Sequence, residues 1–210
     1  MTSILIVDDH AVVRQGLKQI LEGAIAGAVF GEAASGEDAV RMAEAGDWDA
    51  VILDISLPGK SGLEALKELR RARPRLPVLM LSMYPEEQFA VRALRAGAAG
   101  YLFKMNSAAD LVAAVRSVLS GRRYVSPSLA ERLAGEIGLA PGRAPHELLS
   151  DREFQVFRLL ASGKTVTAAA DELGLSVATV STYRTRIIEK MGMRENYDLV
   201  QYAIVNRLFA

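Results

Sequence analysis

The sequence predicts an α/β chain in two parts. Residues 1–120 form a doubly wound, five-stranded parallel sheet, and residues 147–210 form a separate all-α unit of four helices. Residues 121–146 join them as a linker with one short helix. Three observations carry this. Five short apolar runs alternate with stretches of helical periodicity, the pattern of parallel strands buried on both faces and joined by helical crossovers. Each of the first, third, fourth and fifth runs ends in a polar residue. Beyond Ala140-Pro141-Gly142-Arg143-Ala144-Pro145 the apolar residues recur only at helical spacing.

The first strand is Ser3-Ile4-Leu5-Ile6-Val7, ending in Asp8-Asp9, and Val12, Val13, Leu17, Ile20 and Leu21 make the following helix amphipathic. Val29–Ala33 is a weaker strand, followed by Ser35-Gly36 and a helix through Ala39, Val40 and Ala43. Ala50-Val51-Ile52-Leu53 ends in Asp54, Pro58-Gly59 marks a turn, and a helix spans about 61–72. Pro77–Leu81 ends in Ser82 before a helix over about 85–96; Gly100–Phe103 ends in Lys104 before a helix over 107–119. Leu129, Leu133 and Ile137 suggest the short linker helix. The second unit then predicts helices over 151–161, 167–173, 177–191 and 197–208, the first opened by a Ser150…Glu153 capping box. Leu173-Gly174-Leu175-Ser176 is a tight turn, so the middle pair has the outline of a helix-turn-helix.

Composition narrows the function classes. The chain has 210 residues, 50% hydrophobic and 24% charged, with no cysteine, which removes disulfide scaffolds, thiolate metal sites and thiol nucleophiles. No apolar run reaches the roughly 18–20 residues that span a bilayer, and the N-terminus has neither a basic region nor a secretory apolar core. The expectation is a cytoplasmic protein without membrane contact. Basic and acidic groups balance at 25 each, which by itself lacks the usual footprint of nucleic-acid binding.

In an open α/β sheet, ligands bind at the carboxyl ends of the strands. That edge gathers Asp8, Asp9, Asp54, Ser82 and Lys104 from positions almost a hundred residues apart. Adjacent carboxylates plus a third make a hard oxygen site suited to Mg²⁺ or a similar ion. A carboxylate beside such an ion can accept a phosphoryl group while metal and lysine neutralise the incoming charge. Asp54, alone at the end of the middle strand, is the best acceptor candidate. Two glycine-lysine tripeptides, Gly59-Lys60-Ser61 and Gly163-Lys164-Thr165, fail as phosphate loops because Asp54 and Arg158 stand where the earlier glycine is needed. His10 reads as a helix-start residue beside the acids.

Asp8-Asp9-His10, Asp54-x-x-Leu57-Pro58-Gly59-x-Ser61-Gly62, Ser82 and Tyr101-x-x-Lys104 resemble a response-regulator receiver domain, a flavodoxin-like fold, over residues 3–120. The resemblance implies that Asp54 is phosphorylated by a cognate sensor histidine kinase. It implies Mg²⁺ ligated by Asp9, Asp54 and the backbone carbonyl of Ser56, with Asp8 acting through water. Ser82 and Lys104 would hold the phosphoryl oxygens, and Tyr101 would be an aromatic switch that turns inward. Leu149-Ser150-x-Arg152-Glu153, Gly163, Ala170, Leu173, Ser176, Thr179-Val180, Ile187 and Lys190-Met191 resemble the LuxR-type helix-turn-helix of the NarL/FixJ subfamily. That resemblance implies a transcription factor that reads a double-stranded DNA operator, shifted by phosphorylation toward a DNA-binding homodimer.

A helical wheel of residues 177–191 places Val177, Val180, Tyr183, Ile187 and Met191 on an apolar arc. Ser181, Thr182, Thr185, Arg186 and Glu189 fall on the other arc, where a major groove would meet them. Arg184 lies inside the apolar arc and has to snorkel outward, toward phosphate. Ser181 and Thr167 stand where the family often has lysine; Val166, Ala169 and Tyr183 also depart from its pattern. Lys164 is the nearest compensating charge. Tyr183 has two readings, a hydroxyl toward phosphate or a core ring, and Lys190 likewise, a DNA contact or a helix-end charge. The last helix, with Leu199, Val200, Ala203, Ile204 and Leu208, packs inside its unit, makes a dimer contact, or both.

Overall fold

The computed structural model describes residues 1–127, 129–131, 144–206 and 208. The chain divides into two compact units, residues 1–137 and 138–210. Leu133 and Ile137 of the expected linker helix, and Pro141-Gly142, lie outside the described residues.

In the first unit the strands are β1 (Ser3–Val7), β2 (Val29–Ala33), β3 (Ala50–Asp54), β4 (Val78–Ser82) and β5 (Gly100–Phe103). Helices α1 (Ala11–Ala24), α2 (Gly36–Ala45), α3 (Gly62–Ala72), α4 (Glu86–Arg95) and α5 (Ala108–Leu119) follow them in turn. All pairings are parallel, in the order β2-β1-β3-β4-β5. Every residue of β3 and β4 is buried, which is why those runs are uniformly apolar, whereas β2 at the sheet edge is largely not. Ile4, Ile6, Ile52, Leu79, Leu81 and Leu102 form one face, packed against Leu21 of α1 and Leu111, Ala114, Val115 and Val118 of α5.

The helix starts are set by short polar side chains. Ser35 accepts from the Asp38 amide, and Ser61 and Ser107 close capping boxes with Glu64 and Asp110. Past α5 the backbone stays on the sheet. Tyr124 N donates to Ala99 O at 2.9 Å and Tyr124 makes a parallel bridge to Gly100. Ser126 bonds to the Glu86 carboxylate at the start of α4. This part of the expected linker therefore belongs to the first unit.

The second unit holds a 3₁₀ turn (Pro145–Leu148) and helices α6 (Asp151–Ala161), α7 (Val166–Leu173), α8 (Val177–Met191) and α9 (Asn196–Val205). The Ser150…Glu153 capping box is present as the sequence predicts. Gly174 closes α7 at φ 60°, a left-handed conformation that favours glycine, and Ser176 then caps α8 by accepting from the Thr179 amide. The core gathers Phe154, Phe157, Leu160, Leu173, Ile187 and Leu199. His146 meets the Tyr202 hydroxyl at 2.8 Å from Nδ1 and lies beside the Phe154 ring, a packing role within this unit.

Candidate functional site

The strand order reverses between β1 and β3, and the crevice at their carboxyl ends is the place where such sheets bind ligands. Asp8 follows β1, Asp54 ends β3, Ser82 ends β4 and Lys104 follows β5. All four converge. Lys104 Nζ donates to Asp8 Oδ2 at 2.5 Å and lies 2.9 Å from Asp54 Oδ2. Asp8 and Asp54 are only 1% and 2% exposed, and Ser82 is fully buried. Gly62 lets the start of α3 press against this edge: a Cβ there would sit 1.9 Å from the Asp54 carbonyl oxygen.

Two buried carboxylates share one ammonium, so the site is short of positive charge. Burial pushes the Asp54 carboxyl above the usual range; Lys104 opposes this and the Asp8 charge adds to it. Burial would lower the Lys104 ammonium, but the Asp54 charge and the bonds to Asp8 and Asp54 outweigh it and raise it. Asp54 Oδ1 is buried with no hydrogen-bond partner among the described residues. An ionised oxygen left so is costly.

Asp8, Asp9 and His10 bring ligand-type atoms within 4.8 Å of one another. The oxygens of this group suit a small hard cation such as Mg²⁺; Asp54 lies outside the group and is linked to it through Lys104, which contacts Asp8 and Asp54 alike. His10 is closer to the acids than a helix-start residue needs to be. Its Nδ1 is 2.8 Å from Asp9 Oδ1 and 3.3 Å from Asp8 Oδ1, while its amide donates to Asp8 Oδ1 at 2.9 Å. Asp8, expected to act through water, is the closest direct partner of Lys104. Ser56 lies in the loop after β3, its side-chain oxygen buried and without a partner among the described residues.

Tyr101 on β5 is fully buried, and its hydroxyl donates to the Tyr84 carbonyl at 2.6 Å. Burial drives the phenol far above its usual range. The Tyr84 amide in turn donates to Ser82 Oγ at 2.9 Å. One short loop thus joins the buried tyrosine to the strand-end hydroxyl, next to the stacked rings of Tyr84 and Phe89.

On α8, the wheel's outward residues Ser181, Thr182, Thr185, Arg186 and Glu189 are all exposed, and Val180, Ile187 and Met191 are buried. Val177, assigned to the apolar arc, is instead 47% exposed at the first position of α8, although Val180 one turn on is fully buried. The hydroxyls of Thr182 and Thr185 donate to the carbonyls of Ala178 and Ser181, one turn back. Arg184 is half-buried and its Nε donates to Asn196 Oδ1 at 2.5 Å, which ties α8 to α9 instead of releasing the side chain outward. Lys164 bonds to Glu172, which Arg158 also approaches at 3.7 Å, so the expected compensating charge is neutralised. Lys190 takes the helix-end reading: its Nζ donates to Glu153 Oε2 at 2.6 Å. Tyr183 is half-buried.

Residues 4–116 match the family of response regulator receiver domains, and residues 147–203 match the bacterial regulatory proteins of the luxR family. The chain is a response regulator of the NarL/FixJ family. Response regulator UvrY of Escherichia coli K12 is 37% identical over 205 residues, spanning 97% of this chain and 94% of that protein. Response regulator GacA of Pseudomonas aeruginosa is 37% identical over 206 residues, spanning 97% and 96%. Among solved structures, RcsB of Salmonella enterica serovar Typhimurium, bound to promoter rprA with the phosphomimetic BeF3-, superposes with a TM-score of 0.63. It is 26% identical, covering 96% of this chain and 98% of that one. This response regulator is accordingly a DNA-binding transcriptional regulator, and none of its described helices is long and apolar enough to cross a membrane.

Three features of the response regulator's sites have no sequence signal strong enough to find them. The His10 ring enters the acidic cluster through a loop conformation, the Tyr84 carbonyl is a backbone group, and Asn196 meets Arg184 across a turn. A pairing of a histidine with two preceding aspartates was the nearest available hint.

Proposed function

We propose that this response regulator is switched by phosphoryl transfer from a sensor histidine kinase to Asp54. The observation that carries the proposal is the Asp54 carboxylate itself, buried, with one oxygen against Lys104 and the other without a partner. In the transfer, a bond forms between an Asp54 oxygen and phosphorus as the bond from phosphorus to the kinase histidine breaks. Asp9, Asp54 and the Ser56 carbonyl would hold Mg²⁺, with Asp8 acting through water, and the ion would supply charge neutralisation at the transferring phosphoryl oxygens. Lys104 then pairs with a phosphoryl oxygen in place of a bare carboxylate, and the Ser82 hydroxyl takes another.

That rearrangement pulls on the loop between Ser82 and Tyr84, which also holds the Tyr101 hydroxyl. A two-state β4–α4–β5 surface follows, and phosphorylation shifts its population. The DNA-competent form is a homodimer acting in the cytoplasm, with Ser181, Thr182, Thr185 and Arg186 of α8 toward the major groove and Arg184 and Lys164 in supporting positions. The chain is no enzyme beyond its own phosphorylation and dephosphorylation. The promoter-bound RcsB structure with its phosphomimetic supports this reading.

Labelling by acetyl phosphate and Mg²⁺, read by intact mass, tests the acceptor: wild type gains one phosphoryl group and Asp54→Asn gains none. Equal labelling of both would overturn the assignment. Footprinting on selected genomic fragments tests the gating, since occupancy that ignores the phosphodonor removes it.

A further inference from the structure

At the opposite edge of the sheet from Asp54, the first unit has a second polar cleft. It encloses about 260 Å³ and is lined by Arg70, Pro74, Arg75, Gly97, Arg122 and Arg123 among others. Among the described residues no carboxylate lines it, although residues 1–120 carry 15 acidic groups against 13 basic. The arginines arrive from separate segments: Arg70 from the last turn of α3, Arg75 from the loop before β4, and Arg122 and Arg123 from the stretch after α5. We propose that this cleft is a binding site for an oligophosphate group.

Helix ends explain only part of the charge. A cation in the last turn of a helix offsets the partial negative charge of the carbonyls there, and Arg70 fits that role. Arg75, Arg122 and Arg123 lie beyond the ends of α3 and α5, at Ala72 and Leu119, where that effect has fallen away. These three side chains are exposed, and among the described residues none makes an ion pair. Arg122 Nε donates only to the Ser120 hydroxyl, at 3.1 Å.

Arg70 is held in place. Gly97, at φ 100°, leaves room for it: a Cβ there would lie 3.1 Å from Arg70 Nε. Pro74 and Pro77 stiffen the facing wall.

Gathered guanidinium groups repel one another unless an anion bridges them. Their planar forks match two phosphate oxygens at a time, and several forks around one cleft match linked phosphates better than a single one. The volume falls below the roughly 300–1,000 Å³ of sites that enclose a whole organic ligand. A di- or triphosphate group therefore fits inside while any attached nucleoside stays outside.

Isothermal titration of the full chain without divalent metal tests the site, using sodium tripolyphosphate, a nucleoside triphosphate and orthophosphate as probes. The expected result is one saturable site for tripolyphosphate, matched within a few-fold by the nucleoside triphosphate and at least tenfold weaker for orthophosphate. Arg122→Gln/Arg123→Gln weakens it at least tenfold and Arg75→Gln several-fold. Both variants keep the wild-type unfolding midpoint, and Asp54→Asn binds as wild type does. Absence of saturable binding overturns the proposal, and so does full affinity in the two arginine variants. Loss of random-sequence duplex binding in those variants, with no tripolyphosphate binding by wild type, also overturns it and makes the cleft a DNA patch.

Discussion

Replacing Asp54 by Asn is expected to stabilise the receiver unit in the absence of divalent metal. Asp54 Oδ1 is buried without a partner, and Lys104 is shared with Asp8. An unsatisfied buried acceptor costs roughly 1–3 kcal/mol, and more when it carries charge. Burial, opposed by Lys104, leaves the folded carboxyl with a raised affinity for its proton. The folded chain thus binds protons more tightly than the unfolded chain, whose aspartates titrate at about pH 4. As pH rises from there through the folded value, stability falls, because ionising the buried group opposes folding. Asn keeps the shape and one oxygen, removes the charge, and leaves Lys104 to Asp8. Thermal and chemical unfolding at pH 7 in chelator should show a gain of about 1–3 kcal/mol, or roughly 4 °C in midpoint per kcal/mol for a unit of this size. The gain should vanish below about pH 4, where the carboxyl is neutral in both states. Millimolar Mg²⁺ should raise the wild-type midpoint more than the variant's, because the variant lacks one anionic ligand. A midpoint at pH 7 that is unchanged or lower in Asp54→Asn would refute this reasoning, since it would mean that the Lys104 pair outweighs burial.

Tyr101→Phe deletes the hydroxyl that donates to the Tyr84 carbonyl at 2.6 Å and should cost about 1–3 kcal/mol in urea unfolding; an unchanged midpoint would show that the carbonyl finds another donor. In the second unit, burial works to raise the Glu153 carboxyl, but the bonds from Lys190 and Ser150 prevail and hold it below the usual range. Its contribution is therefore present above the unfolded value of about 4.3 and is lost as pH falls through the folded one. Lys190→Ala should lower stability at pH 7 by up to about 1 kcal/mol, as befits a half-exposed partner, and by less in acid. An identical acid-unfolding profile in wild type and variant would count against the pair. For operator binding, a plot of log affinity against log salt should have a slope of about −2 to −4 for a dimer, from two to four neutralised phosphates. A slope near −10 would reveal phosphate contacts that α8 does not supply.

The strands were legible because burial on both faces leaves no room for polar residues inside them, so Ala50–Asp54 and Val78–Ser82 could be read almost to the residue. The edge strand β2 was faint for the same reason reversed: Val29 is 43% exposed and Glu32 faces solvent, so its pattern carries less signal. Strand ends gave Asp8, Asp54, Ser82 and Lys104 as neighbours, because topology alone brings them to one edge. Which carboxylate Lys104 would hold was not legible. Both Asp8 and Asp54 lie at that edge, and the choice between one partner and two is made by side-chain reach. On α8 the wheel sorted exposed from buried residues over most of its length but was blind to other helices. It could not show that Asn196 would take Arg184, that Glu172 would take Lys164, or that Glu153 would take Lys190.

Those three pairings change what the balanced charge means. Counted along the sequence, residues 177–190 carry three basic groups and one acidic, a small excess that suggests phosphate binding. In the folded unit Lys190 is neutralised by Glu153 and Arg184 is held by Asn196, which leaves Arg186 as the exposed cation on the outward arc. The groups facing outward beside it are Ser181, Thr182, Thr185 and Glu189, none of which adds positive charge. Non-specific affinity for DNA scales with the phosphates neutralised. On its own, α8 of one protomer therefore has little with which to hold DNA, and two copies on paired half-sites would be the physical route to useful affinity. Under the proposed dimerisation, control comes from regulating assembly and needs no means of masking a strongly basic helix. That is the control that the proposed acceptor Asp54, buried beside the Ser82, Tyr84 and Tyr101 hydrogen bonds, would exert.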